Sequence, residues 1–143
     1  MSDAALLRND PAPVIGAALP VEALPDWRDW LFELDRDLEV QTFHLPEVIS
    51  GDWESPAAEA AKALDGFRGR LGIHGPFWGL AVDSMDPEVR AVVIRRMMTG
   101  LEVCARLGAD CMVIHSPFTT WDAQNLDARA GAREALFERT HLT

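Results

Sequence analysis

The sequence predicts an α/β fold of parallel strand–helix units, four of the eight that make a (β/α) barrel. Short apolar runs alternate with helical periodicities four times along the chain, the pattern of right-handed parallel crossovers. The strand candidates are almost continuously apolar, as in sheets buried under helices. A histidine closes three of the four, at the strand ends where functional groups collect in such folds.

The elements follow in order. Residues 1–13 carry Asp3, Asp10 and two prolines and read as a flexible lead-in. Residues 14–19 (VIGAAL) form the first strand candidate, and residues 14–143 the half-barrel. Pro25 and Asp26 then open a helix in which Trp27, Trp30, Leu31, Leu34 and Leu38 recur at helical spacing. Residues 40–45 (VQTFHL) read as the second strand, stopped by Pro46. Ser55-Pro56 combines a capping hydroxyl with proline at the first helical position. Residues 70–74 (RLGIH) form the third strand. Asp86-Pro87 repeats the helix start, and an apolar stripe of Val89, Val92, Val93, Met97, Leu101, Cys104 and Leu107 runs to Gly108, a left-handed cap. Residues 111–115 (CMVIH) form the fourth strand, and residues 126–140 a weaker helix.

A doubly wound open sheet is the competing architecture, and a whole barrel needs roughly 250 residues. The segment after the first strand, LPVEALPDW, has no glycine with which to wrap a pyrophosphate. The strand-end histidines therefore favour the barrel. Four strands without closure would leave two unpaired edges and an open apolar inner face. Self-association as a homo-oligomer is the expected remedy.

Composition excludes several classes. Of the 143 residues, 48% are hydrophobic and 25% charged, normal for a globular protein. A formal charge of −10 argues against nucleic acid and against anionic membrane surfaces. The apolar runs fall short of a membrane span, the start lacks the features of a signal peptide, and Cys104 and Cys111 read as reduced, buried thiols. A cytoplasmic protein is the expectation. Asp52, on a loop, reads as solvated charge. Gly-x-Ser-x-Gly, Cys-x-x-Cys and Walker motifs are absent from the sequence.

The chemistry gathers at His44, His74 and His115. Imidazole there can bind a divalent metal, bond a sugar hydroxyl or move a proton. His74 is followed by Gly75-Pro76-Phe77-Trp78 and His115 by Ser116-Pro117-Phe118, so each precedes a tight proline turn and an aromatic. Phe77, Trp78, Phe118 and Trp121 are candidates for stacking on a sugar ring.

Three segments carry a resemblance: His74-Gly75-Pro76-Phe77-Trp78-Gly79-Leu80, Asp86-Pro87-Glu88-Val89-Arg90, and the run from Leu107-Gly108-Ala109-Asp110 to His115-Ser116-Pro117. They resemble the xylose-isomerase-like TIM-barrel superfamily, which includes sugar phosphate isomerases and epimerases and the type IV AP endonucleases. The resemblance implies a barrel with a divalent metal (Zn, Mn, Mg or Co) at the C-terminal rim, held mostly by later-strand residues absent from this chain. It makes His74 and His115 metal ligands, as in the endonuclease branch. His44, Phe77, Trp78, Phe118 and Trp121 become contacts to a small sugar or sugar-phosphate. It assigns no catalytic acid or base within this chain. The function it implies is metal-assisted proton transfer next to a sugar carbonyl. The alternatives are phosphodiester cleavage at abasic DNA and a non-catalytic, self-associating half-barrel.

Overall fold

The computed structural model describes residues 13–81, 84–116 and 126–141. Four strands, β1 (Gly16–Leu19), β2 (Asp37–Val40), β3 (Leu71–His74) and β4 (Cys111–Val113), form one sheet. All pairs are parallel and the spatial order is the chain order. Helices α1 (Leu24–Glu33), α2 (Pro46–Ile49), α3 (Glu54–Ala63), α4 (Pro87–Leu107) and α5 (Ala132–His141) alternate with or follow the strands. Right-handed crossovers that all step the same way put their helices on one side of a sheet, whereas a doubly wound sheet reverses direction. The fold is therefore an α/β half-barrel, with one face covered by helices and the other bare among the described residues.

The strands alternate more than their sequences advertise. Leu38 and Val40 of β2, Leu71 and Ile73 of β3, and partly buried Leu19 and Met112 pack against the helices. Leu24, Leu31, Ala57, Ala60, Leu64, Val103 and Cys104 meet them there. Gly16, Ala18, Asp37, Glu39, Gly72, Cys111 and Val113 line a depression on the bare face. The inner face thus mixes the charged groups of Asp37, Glu39 and Arg70 with the apolar side chains of Val14, Ala18 and Val113. At its N-terminal end Asp37 pairs with Arg70 at 2.7 Å.

Two expectations move with this. The second strand is Asp37–Val40, not 40–45. Asp37 and Glu39 face the open side while Leu38 and Val40 are buried, so the strand has a polar face that apolar continuity does not reveal. The VQTFHL run instead becomes a 3-10 turn, Thr42–His44, with Phe43 buried in the core. Of the two cysteines, Cys104 is buried and Cys111 is exposed on the bare face. Burial pushes the Cys104 thiol pKa up.

Helix ends follow local chemistry. Asp86 accepts from the N–H groups of Glu88 (2.8 Å) and Val89 (3.5 Å), Pro87 occupies the first turn, and Gly108 closes α4 at φ 68°. The helix α3 starts at Glu54 with Trp53 at its N-cap, so Ser55 sits inside the first turn instead of capping it. Asp52 accepts from the Ser55 hydroxyl at 2.6 Å and the Ser55 N–H at 3.0 Å. Those bonds, the hydroxyl first, lower the pKa of this exposed carboxylate from its ordinary value. On α4 the buried residues are Val93, Gly100, Val103 and Cys104. Val89 and Leu101, expected on the core stripe, are 38% and 49% exposed. Ile94, Met98 and Leu101 make a second apolar stripe, at i, i+4 and i+7, facing outward.

Two outcomes are expected. Asp86→Ala should cost about 1 kcal/mol in urea unfolding, the usual value of an N-cap. A thiol reagent should modify Cys111 quickly and Cys104 only on unfolding; equal rates would contradict the placement of the two side chains.

Candidate functional site

The site grows from the C-terminal ends of β2 and β3 and the residues after β4. Glu39 and Gly72 are register partners, and His74 stands one pleat beyond Gly72 on the same face. The Glu39 side chain therefore reaches His74, and its Oε1 lies 2.6 Å from His74 Nδ1. The Gln41 amide donates to the same Oε1 at 2.6 Å. The His74 side chain is 15% exposed and that of Glu39 29%.

His115 lies two residues beyond β4, and its Nε2 is 3.1 Å from His74 Nε2. Its ring stacks on Phe77, with centroids 4.1 Å apart and planes 2° from parallel. Phe77 also meets His74 (5.2 Å) and His44 (5.3 Å), and Trp78 stacks on it at 4.9 Å. One ring thus contacts all three rim histidines. His44 does not end a strand. It closes the 3-10 turn, where its Nδ1 donates to the Gln41 carbonyl at 2.5 Å and its ring sits edge-on to His74. That bond leaves His44 Nε2 as an acceptor.

The turn after His74 is held closely to β4. Gly75 N–H donates to the Val113 carbonyl at 2.8 Å. A Cβ on Gly75 would stand 2.9 Å from both that oxygen and Met112 Cγ, too close for any larger residue without backbone movement.

The two facing imidazole nitrogens suit one cation. With metal–nitrogen bonds of about 2.0–2.1 Å, a 3.1 Å separation subtends an angle of roughly 95–100° at the ion. That lies between octahedral and tetrahedral values. Among the described residues no group of three or more His, Cys, Asp or Glu side chains could hold a metal. His74 and His115 present two imidazole nitrogens to one point, and a complete metal shell would need further donors.

No family model matches the chain, and no curated protein does. A solved structure does. The chain is similar to the TTHB071 protein of Thermus thermophilus. The two share 29% identity at a TM-score of 0.58, over 91% of this chain and 52% of the Thermus protein. This chain therefore spans about half the length of that one.

Of the residues singled out in the sequence, His44, His74, His115, Phe77 and Trp78 come together in one cluster. Phe118 and Trp121 lie outside the described residues, as do residues 1–12 of the lead-in. Glu39 and Gln41 escape a reading that places the second strand too far along the chain. The signal is present in Asp37-Leu38-Glu39-Val40, where two carboxylates two residues apart share the face opposite two core side chains.

The stacked geometry gives a spectroscopic expectation. Ring-current shielding by Phe77 should move the His115 carbon-bound ring protons upfield, and Phe77→Leu should return them downfield. Unchanged His115 resonances in that variant would contradict the stacking.

Proposed function

We propose that this chain supplies the N-terminal half of a metal-assisted sugar isomerase or epimerase site, with His74 and His115 as two of the ligands. The approach of the two Nε2 atoms to 3.1 Å at adjacent strand ends carries this reading. The carboxylate behind His74 supports it, because metal-bound imidazoles usually donate their other N–H to such a group. The resemblance of the His-x-Pro segments to xylose-isomerase-like barrels supplies the substrate class. The Thermus thermophilus structure is of a protein soaked with ZnCl2, which makes zinc the first ion to test.

A bound divalent ion would polarise neighbouring sugar oxygens. The chain's own residues have three other tasks. His44 Nε2 offers an acceptor to a sugar hydroxyl. Phe77, packed against all three rim histidines, and Trp78, 55% exposed, wall the rim with aromatic surface for the apolar face of a ring. The groups that move the proton are left to residues beyond those described.

A phosphodiesterase acting on abasic DNA is the second reading, favoured by the pairing of His74 and His115 as ligands. The charge of −10 and the carboxylates of Asp37 and Glu39 on the bare face oppose it. A purely structural, self-associating half-barrel is the third. Among the described residues β1 and β4 each have one strand neighbour, and the core cluster lies on one face of the sheet. No described helix is long and apolar enough to cross a membrane.

Calorimetric titration with ZnCl2 should show one site, and His74→Ala or His115→Ala should each weaken it about tenfold or more. Equal binding by wild type and both variants would remove the metal reading. Light scattering should report a dimer or larger species, and a monodisperse monomer would contradict self-association.

A further inference from the structure

The histidines of the rim lean on Glu39, a residue that no strand-end pattern singles out. We propose that Glu39 is the positioning residue of the histidine pair. It fixes His74 as the Nδ1–H tautomer, so that the His74 Nε2 lone pair faces His115 and the hydrogen between the two Nε2 atoms is carried by His115.

The argument follows from donor and acceptor capacity. A carboxylate only accepts, so the 2.6 Å contact makes His74 Nδ1 the donor. A neutral imidazole has a single N–H, and His74 Nε2 is then a lone pair. It faces His115 Nε2 at 3.1 Å, a hydrogen-bond distance, and two lone pairs would repel there. With both rings neutral, His115 then presents its Nε2–H. The carboxylate is itself held, because Gln41 donates to the same Oε1. The other carboxylate of β2, Asp37, is occupied by Arg70 at 2.7 Å and does not compete.

The two histidines are consequently unequal. His74 is ready to ligate without rearrangement. His115 has to transfer its hydrogen from Nε2 to Nδ1 before its own Nε2 can bind an ion. The segment from Glu39 to Gln41 also governs His44, whose Nδ1 donates to the Gln41 carbonyl. The end of one strand thereby sets the hydrogen placement of the whole rim.

The tautomer assignment stands on the hydrogen bonds alone, while its consequence for ligation rests on the metal reading above. Both are tested on the full chain with Glu39→Ala and Glu39→Met. Each removes the acceptor, and Met keeps the length of the side chain should Ala impair folding. Long-range 15N–1H correlation spectra of the metal-free wild type should show His74 as Nδ1–H and His115 as Nε2–H. In the variants His74 should shift towards the Nε2–H form that a free imidazole prefers. Zinc affinity should fall roughly 10–100-fold in the variants. A wild-type His74 that is Nε2–H or doubly protonated would overturn the proposal, as would a variant His74 still fixed as Nδ1–H. Zinc binding that needs His74 and His115 but is unaffected by loss of Glu39 would overturn the ligation role. If no form binds zinc while the tautomers behave as described, the metal reading fails and the positioning of His74 by Glu39 stands.

Discussion

Everything in this molecule depends on the handedness of its crossovers. Each parallel strand is followed by its neighbour in one direction across the sheet, and crossovers that obey the general right-handed rule then pile their helices on one face. That asymmetry divides the side chains of every strand into two populations. One set, Leu38, Val40, Leu71, Ile73 and Met112 among them, is committed to the hydrophobic core. The other is released from packing duty and can carry charge and chemistry. Glu39 and His74 are near neighbours because they belong to the second population on adjacent strands.

Placement at the rim is then refined by turns. His74 is the last residue of β3 and passes directly into Gly75-Pro76, with Pro76 itself fully buried. A buried proline anchors the turn from below, and Phe77 follows it to stand among the histidines. The histidines are thus braced by hydrogen bonds on one side and by an aromatic ring on the other. Such double bracing costs side-chain entropy at folding rather than at ligand binding.

Much of this is legible in the sequence. The alternation of strands and helices, the caps at Asp86 and Gly108, and the convergence of His74 and His115 all follow from local patterns. The failures share a cause. Apolar continuity is a poor criterion for β2, which is half polar because one of its faces is bare. It displaces the strand towards VQTFHL, and Glu39 is lost with it. The stripe on α4 is misassigned at Val89 and Leu101 because a helix with apolar residues on two faces offers two consistent readings. Only packing against β3, β4 and α3 selects the face of Val93, Gly100, Val103 and Cys104.

The contact between Gly75 and Val113 bears on how such a rim tolerates change over generations. The spacing of the two strand ends there is set by the Gly75–Val113 main-chain hydrogen bond and by the Met112 side chain packed against Gly75. Exchange of rim side chains that do not touch this contact leaves it in place, and with it the separation of His74 and His115. The cost of this freedom falls on one position. Any side chain at Gly75 would press on the Val113 carbonyl and the Met112 side chain and push the two strand ends apart.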